Sequence, residues 1–304
     1  MHLAKEKTST SAPVKASLIK ALLKLFAALP LPVSARLGRA LGLVAWWING
    51  KSVKTTRANL AVCYPHLSTG ARRALAKASM ITSGQLVSEV GPVWLWPHAR
   101  LESMLLAEEG SKRIRSHLDA GRGVLLTGPH LGNWEYLSWY LARRYGFTAM
   151  YRKPRIAELD ALLVNARNRA GANLVPGDRH GLKKMMVALR QGGVVALLAD
   201  QEPGRNAGVF APFFGEPAYT MTLVQKLLQK SGATLFDMSA YRCDHRHGFT
   251  VKCQELHIDP NLTETEFATA LNRRFEEMIR LVPEQYEWAY KRFKSRPEGA
   301  RKIY

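Results

Sequence analysis

Residues 123–135 read GVLLTGPHLGNWE, and the architecture of the surrounding region follows from this stretch. The apolar run GVLLTG is typical of a strand buried in a parallel sheet. The run stops at a glycine–proline bend, and His130 and Glu135 follow where a helix over 133–144 is predicted. The order of strand, bend and helix predicts one unit of an α/β layer with two ionisable side chains at its turn.

The same alternation continues toward the C-terminal end of the chain. Strands are predicted at FTAMY (147–151), ANLVP (172–176), VVALLAD (194–200) and in a pair formed by ATLFDMSAYR and GFTVKCQEL. Helices are predicted over 68–122, 158–171, 180–193, 218–231 and 263–281. Strands that alternate with helices predict an α/β fold with a mainly parallel central sheet flanked by helices.

The composition indicates that the protein binds an anionic partner and that its cysteines are reduced. Lys and Arg total 44 against 24 Asp and Glu, a formal net charge of +20, and 47% hydrophobic residues are ample for a core. Such an excess of charge favours nucleic acid, an anionic membrane or an acidic protein as partner. The three cysteines, Cys63, Cys243 and Cys253, have no disulfide-like spacing and favour a reducing compartment.

The basic residues are concentrated near the N-terminus, where the apolar stretches SLIKALLKLFAALPLP and RALGLVAWWING lie among them. Neither stretch reaches the roughly 20 uninterrupted apolar residues of a spanning helix. Both are typical of basic helices that lie in a membrane interface, with an ordinary amphipathic helix on a globular core as the alternative. LPVSA resembles a signal cleavage site, but Lys20 and Lys24 within the apolar stretch argue against a secretory signal.

These features predict three regions. We expect a disordered basic tail over 1–16 and a membrane-associated helical segment over 17–60. The α/β domain, which carries the candidate catalytic residues, is expected over 61–304.

The candidate site lies at the ends of the predicted strands. His130 and Asp200 each follow an apolar strand, so both are expected at the rim where the carboxyl ends of parallel strands meet. With His130 in the bend before the helix, Glu135 can reach its ring. A carboxylate bonded to one imidazole nitrogen leaves the other free as an acceptor, which is what a general base needs. A histidine that only packs in the turn remains the alternative.

Several familiar catalytic motifs are absent from the sequence. There is no G-x-S-x-G, no phosphate-binding Gly-Lys loop and no H-E-x-x-H. CDHRHG (243–248) offers Cys243, His245 and His247, but a metal site usually needs four coherent ligands, so we predict a solvated hairpin loop, no metal and no other cofactor. Without a nucleophilic side chain, the predicted chemistry is direct: a base activates a hydroxyl of the substrate itself.

HLGNWE (130–135) resembles the H-x4-E/D motif of the lysophospholipid acyltransferase superfamily, in the form found in bacterial lipid A late acyltransferases. The resemblance covers roughly residues 17–300 and implies a glycerolipid acyltransferase-like fold. Further blocks that agree in order and spacing are YRKP (151–154), NARNR (165–169), DRHGLKKMMVALRQGGVVALLADQ (178–201), GVFAPFFGEPAYT (208–220) and EQYEWAYKRFKSRPEG (284–299).

The resemblance implies roles for individual residues. His130 would deprotonate an acceptor hydroxyl, Glu135 would orient His130, and the hydroxyl would attack an acyl thioester on acyl carrier protein. Arg167 matches the essential arginine of the family and Asp200 its strand-end aspartate. The implied substrate-binding residues are Asn133, Arg152 and Arg169. A solvated basic helix face is the alternative for the arginines.

We therefore expect an acyltransferase that moves a fatty acyl chain from acyl carrier protein to a lipid A precursor at the cytoplasmic face of the bacterial inner membrane. Acyl carrier protein is acidic and suits a basic surface. A lysophospholipid or an amino-acid lipid is the alternative acceptor, and Gln201 and Glu202, where lipid A enzymes often carry His-Asp, bear on that choice.

Two further hypotheses compete with lipid acyl transfer. A hydrolase on the same scaffold would use water in place of the acceptor hydroxyl. A nucleic-acid-binding protein would also account for the net charge of +20. No nucleic-acid-reading motif is present in the sequence, so we predict no nucleic-acid partner.

Overall fold

A computed structural model describes residues 11–151, 160–243 and 247–304, with side chains from residue 16 onward. The helices in these ranges are α1 (Ser11–Ala28), α2 (Leu31–Ile48), α3 (Lys51–Cys63), α4 (Thr69–Leu95), α5 (His98–Glu102), α6 (Ser111–Asp119), α7 (Trp134–Tyr145), α8 (Asp160–Ala170), α9 (Arg179–Arg190), α10 (Leu223–Ser231) and α11 (Glu264–Leu281). The strands are β1 (Leu105–Glu109), β2 (Val124–Gly128), β3 (Phe147–Tyr151), β4 (Asn173–Pro176), β5 (Val194–Leu198), β6 (Gly208–Phe213), β7 (Glu216–Met221), β8 (Thr234–Arg242) and β9 (Phe249–Leu256).

Seven strands form one sheet in the order β1-β9-β8-β2-β5-β3-β4. The five strands from β8 to β4 are parallel, whereas β9 runs antiparallel to β8 and β1 runs parallel to β9. β6 and β7 form a separate antiparallel pair. The predicted α/β fold with a mainly parallel sheet flanked by helices is confirmed.

Both faces of the sheet are covered, which explains the uninterrupted apolar runs of its central strands. Along β2, Leu125 packs into one core cluster, whereas Val124 and Leu126 pack into the other. Successive side chains of a strand point to opposite faces, so a strand covered on both faces is apolar at every position. α9, α10 and α11 contribute buried residues to the first cluster, and α6 and α7 contribute to the second.

Three predicted boundaries differ from the structure. The region predicted as helical over 68–122 contains β1, an edge strand whose sequence, LLAEE, is apolar at only three positions and exposed toward its end. Residues 218–221, predicted as the start of a helix, belong to β7, where they pair with β6. α1 begins at Ser11, so the last part of the predicted tail is helical, and residues 1–10 lie outside the described ranges.

The N-terminal helices pack on α4 through small residues. A Cβ atom at Gly42 would lie 2.3 Å from the carbonyl oxygen of Met80, and one at Gly84 would lie 2.3 Å from that of Gly38. Ser34 on α2 also donates to the carbonyl of Ser88 on α4 at 3.2 Å. The backbones of α2 and α4 therefore approach closely. In the parts of the chain that the structure describes, no helix is both long and apolar enough to cross a bilayer.

Candidate active site

Two polar side chains meet where neighbouring strands end. Gly128 of β2 pairs with Leu198 of β5, and His130 and Asp200 each follow two residues later. Asp200 Oδ1 lies 2.6 Å from His130 Nδ1, and Asp200 Oδ2 accepts the backbone N–H of His130 at 2.9 Å. Because an ionised carboxylate only accepts, Nδ1 carries the proton and Nε2 is left as the acceptor.

The ionisation of the pair follows from this contact. Burial lowers the pKa of His130, but the charge and hydrogen bond of Asp200, with smaller contributions from Glu287 and Glu135, raise that pKa above its ordinary value. Burial raises the pKa of Asp200, but the charge of His130 and its two hydrogen bonds lower that pKa below its ordinary value. The His130 side chain is 19% exposed, whereas that of Asp200 is 2% exposed. The histidine, but not its partner, is open to a substrate.

The rest of the HLGNWE motif holds the turn. Gly132 has φ of 68°, and a Cβ atom there would lie 2.0 Å from the carbonyl oxygen of Ala240, so only glycine fits. Asn133 caps α7: its Oδ1 accepts the backbone N–H of Tyr136 at 2.8 Å, and its Nδ2 donates to Glu89 at 2.8 Å. Asn133 is fully buried and both ends of its amide are bonded. It therefore acts as a buried helix cap, and the substrate contact that the resemblance implies stays a prediction.

Glu135 does not make the contact that the sequence predicts. Its Oε1 accepts from Arg167 Nη2 at 2.7 Å, and its Oε2 accepts from the indole N–H of Trp94 at 2.8 Å. The carboxylate bonded to the His130 ring is that of Asp200, which comes from the adjacent strand at hydrogen-bond distance. The predicted orientation of His130 by Glu135 is corrected accordingly: Glu135 holds Arg167 and acts on His130 through its charge.

The three predicted arginines have different surroundings. Arg167 on α8 lies in the cleft with His130, where its side chain is 23% exposed. Arg169, two residues further along the helix, is exposed and donates to the backbone carbonyl of Trp94 at 3.1 Å. Arg152 lies outside the described residues. Substrate binding by Arg169 and Arg152 stays a prediction.

His130 lines a largely apolar groove. Its volume is about 470 Å³, and it runs between α7, α8, β3 and β5. Gln201 also lines the groove, with its Nε2 3.4 Å from His130 Nε2. Trp134 packs against the imidazole in an edge-on arrangement with ring centroids 5.3 Å apart. Apolar side chains along the groove include Leu137, Leu141, Met150, Leu163, Leu174 and Met238.

Two further regions hold residues of the site in place through hydrogen bonds. The sequence did not connect either of them to the site. On α4, Glu89 bonds Asn133 and Trp94 bonds Glu135. From the C-terminal region, Glu287 donates its backbone N–H to the carbonyl of His130 at 3.1 Å. The Trp pair in GPVWLWPHARLESM and the block at 284–299 were the available signals, but neither specifies a contact by itself.

The match to known proteins agrees with this geometry. The profile of the bacterial lipid A biosynthesis acyltransferases matches residues 3–295. The chain belongs to this family. It is 33% identical to a lipid A biosynthesis lauroyltransferase of Escherichia coli (strain K12), over 89% of this chain and 88% of the other. It is 28% identical to a lipid A biosynthesis palmitoleoyltransferase of the same organism, over 93% of this chain and 92% of the other.

A further relative of this lipid A acyltransferase is a phosphatidylinositol mannoside acyltransferase of Mycobacterium tuberculosis (strain CDC 1551 / Oshkosh). The two are 29% identical over 57% of this chain and 56% of the other. All three relatives are named as transferases of an acyl group; two names refer to lipid A biosynthesis and one to phosphatidylinositol mannoside. Membership of the family makes this chain an acyltransferase of lipid A biosynthesis.

Proposed function

We propose that this acyltransferase moves a fatty acyl chain from an acyl carrier protein thioester to a hydroxyl of a lipid A precursor, with His130 as general base. One observation carries the proposal: His130 is bonded through Nδ1 to Asp200, while the ring lines the head of an apolar groove. A base, its orienting carboxylate and a groove for an alkyl chain are the parts that direct transfer requires.

The first step is activation of the acceptor. His130 Nε2 takes the proton of the acceptor hydroxyl as its oxygen attacks the thioester carbonyl, forming the C–O bond and a tetrahedral oxyanion. Asp200 keeps the tautomer fixed and stabilises the imidazolium that forms. Arg167, which lies in the same cleft and is held by Glu135, is the cation best placed to stabilise the oxyanion.

The second step is loss of the leaving group. The tetrahedral intermediate collapses, the C–S bond breaks, and the imidazolium of His130 returns its proton to the departing sulfur. The products are an ester on the acceptor and the free thiol of the carrier protein. His130 is again neutral, so no covalent enzyme intermediate and no cofactor enters the cycle.

The groove is suited to the acyl chain. It is bounded on one side by α7 and on another by α8, and its walls are formed mainly by Leu, Met and Phe side chains. Burying each methylene of an acyl chain contributes about 0.8 kcal/mol, so the groove can hold the chain while the thioester lies beside His130. The thioester end stays near the polar side chains of the lining, among them Gln201 and Glu202.

We place the reaction at the cytoplasmic face of the inner membrane. Most of the large apolar side chains that are exposed in the described ranges lie on two helices, α1 and α2. Both helices also carry Lys or Arg, which favours the surface of an anionic bilayer. These exposed apolar residues are Leu18, Leu22, Leu25, Val33, Leu37, Leu41, Val44, Trp47 and Ile48. The net charge of +20 suits the acidic carrier protein as donor.

The proposal is tested with the full chain, acyl carrier protein thioester and a lipid A precursor, with products identified by mass spectrometry. We expect one new ester on the acceptor and one free thiol per transfer. His130→Ala should lower the rate by about 10²- to 10⁴-fold without loss of the fold. Free fatty acid formed equally with and without acceptor would indicate a hydrolase, and near-normal transfer by folded His130→Ala would refute the mechanism.

A further inference from the structure

A second cavity, which the mechanism above does not use, lies between the N-terminal helices and the end of β8. Its volume is about 500 Å³. α2 contributes Arg36 and Arg39 to its lining, α4 contributes Glu89, and β8 ends there with Arg242. We call it the arginine cavity.

Arg242 is held in this cavity with unused donors. Its side chain is 8% exposed, and its Nε donates to Glu89 at 2.7 Å. Gln285 fixes its backbone from both sides, accepting from the N–H at 3.0 Å and donating to the carbonyl at 3.1 Å. Nη1 and Nη2 are buried and have no hydrogen-bond partner among the described residues. Buried donors normally find an acceptor, and these two have none in the described ranges.

The charge balance of the cavity favours an anion. Three guanidinium groups, those of Arg36, Arg39 and Arg242, are set against the two carboxylates of Glu89 and Glu284. Glu89 is already occupied, because it accepts from Arg242, Asn133 and Gln85. A planar guanidinium with two free Nη groups matches the oxygens of a phosphate in a bidentate arrangement.

A narrow pocket lies beside both the arginine cavity and the catalytic groove. It shares Arg242 and Gln285 with the cavity, and it is also lined by Gly132 and Trp134. Trp134 also lines the groove beside His130. Trp134 and Arg242 thus line one pocket, and the first of them also lies beside His130.

α2, which supplies two of the arginines, also has a surface that suits a lipid as the ligand of the cavity. On α2, Leu37 and Leu41 are exposed beside Arg36 and Arg39. A helix with exposed apolar and basic residues side by side suits the level of lipid head groups.

We propose that the arginine cavity binds a phosphate monoester on the head group of the lipid acceptor and so holds the acceptor with its hydroxyl at His130. This inference rests on the proposed function for the identity of the acceptor. The phosphate accepts from Nη1 and Nη2 of Arg242, and Arg36 and Arg39 add charge at the cavity's lining. Glu89 links the site to the catalytic turn, because it bonds both Arg242 and Asn133.

Binding is tested first, without any transfer. The full chain is titrated with glucosamine 1-phosphate, with unphosphorylated glucosamine and with inorganic phosphate. The test variant is Arg36→Gln/Arg39→Gln, since both side chains are exposed and their loss does not disturb the core. The matched control is Arg122→Gln/Arg190→Gln, which removes two exposed arginines at the opposite end of β2.

Loss of charge-assisted contacts should weaken binding of the sugar phosphate at least about tenfold in the test variant and not in the control. Arg242 is tested as Glu89→Gln/Arg242→Gln, because Arg242→Gln alone would leave Glu89 buried without its cation. Equal binding of the sugar phosphate by wild type and both test variants overturns the proposal. If inorganic phosphate binds as tightly as the sugar phosphate, the proposal that the cavity recognises a phosphate on the lipid acceptor is overturned.

Kinetics then identify which substrate carries the phosphate. With acyl carrier protein thioester as donor, Arg36→Gln/Arg39→Gln should raise KM for a phosphorylated lipid A precursor at least about tenfold and leave KM for the donor unchanged. Removal of the phosphate from the acceptor should abolish the difference between wild type and variant. A raised donor KM instead would assign the cavity to the donor and overturn the proposal. If wild type transfers to neither acceptor, the proposed function fails, and the titrations still decide whether the cavity binds a sugar phosphate.

Discussion

Two carboxylates act on His130, and they do so in different ways. Asp200 contacts the ring and the backbone of His130, whereas Glu135 contacts Arg167 and Trp94. Both raise the pKa of His130, but only Asp200 also fixes the tautomer. The motif spacing alone does not distinguish these roles, because the two residues are equally able to supply a carboxylate. The distinction depends on which strand end lies beside the turn.

Asp200→Asn should alter the pH dependence of catalysis. The base works when His130 is neutral, so activity is lost as pH falls through the pKa of His130, which Asp200 raises. Without that charge, burial lowers the pKa, and the acidic limb of kcat against pH should move to lower pH while kcat falls by about 10²- to 10⁴-fold. Asp237→Asn is the control, because Asp237 is equally buried but pairs with Arg274. An unmoved acidic limb in Asp200→Asn would contradict the pairing.

Arg167 and Glu135 should behave as one unit. Arg167→Lys keeps the charge but loses the planar fork, so we expect it to lose most activity, and Arg167→Ala to lose nearly all. Glu135→Ala in the Arg167→Ala background should cost little more, since Glu135 then has no guanidinium to hold. Values of kcat/KM for the four proteins of this cycle test the coupling, with the exposed Arg143→Lys as control. Fully additive losses would show that the two residues act separately.

The ends of the apolar runs were sufficient to bring His130 and Asp200 to one rim, and the resemblance to the family added Arg167, which lines the same cleft as His130. It did not reveal that Asn133 is a buried cap, since the same amide could face solvent or the protein. Nor did it reveal Glu89 or Trp94, whose contacts join positions far apart in the chain. Such contacts depend on helix packing, which no short motif encodes.

At the scale of secondary structure, α4 connects the N-terminal helices to the catalytic turn. One part of α4 crosses α2 at Gly84, and later positions carry Glu89 and Trp94. The crossing requires small residues because the two backbones are in contact. A displacement of α2 would therefore be transmitted to the residues that hold Asn133 and Glu135.

Gly42→Ala should destabilise the protein although alanine favours helices. The added Cβ would lie 2.3 Å from the carbonyl oxygen of Met80 and 2.7 Å from Cα of Ile81, which are both backbone atoms. Overpacking of this kind costs about 1–3 kcal/mol, so we expect a melting temperature about 2–10 °C lower. Gly50→Ala is the control, since nothing lies within 4 Å of a Cβ atom there. Calorimetry that gives equal melting temperatures for both variants would contradict the close crossing.

The sequence predicts every strand of the main sheet except β1, including the edge strand β4. β2 and β5 are mostly apolar because helices cover both of their faces. β1 was missed because it includes two glutamates and is exposed toward its end. The β6–β7 pair stands apart from the main sheet, and β7, EPAYTM, has polar residues at Glu216 and Thr220 that interrupt its apolar run.

Across the whole molecule, the polar and apolar sites lie beside one another. His130 and Trp134 line the apolar groove, Trp134 and Arg242 line the narrow pocket next to it, and Arg242 and α2 line the arginine cavity. The same helix carries exposed apolar residues. A lipid acceptor at the surface of α2 would thus have its head group close to both the cations and the base.

We expect attachment to a membrane to depend on the exposed apolar residues of the N-terminal helices. Deleting the first fifty residues would be a poor test, because α2 buries Leu31, Ala35 and Trp46 and its removal would expose the core. Leu37→Gln/Leu41→Gln/Trp47→Gln instead changes only side chains that are exposed. This variant would lose the apolar area that an interfacial helix places among the acyl chains. We expect it to remain folded and to leave the pellet when it is sedimented with vesicles containing anionic lipid.

Val187→Gln/Leu281→Gln is the matched control, since both side chains are also large, apolar and exposed but lie on α9 and α11. It should sediment with the vesicles as wild type does. High salt should release part of the wild-type protein, because the basic residues of α1 and α2 contribute attraction that salt screens. If the α2 variant sediments as fully as the control at every salt concentration, the exposed apolar residues of α2 do not form the membrane-binding surface.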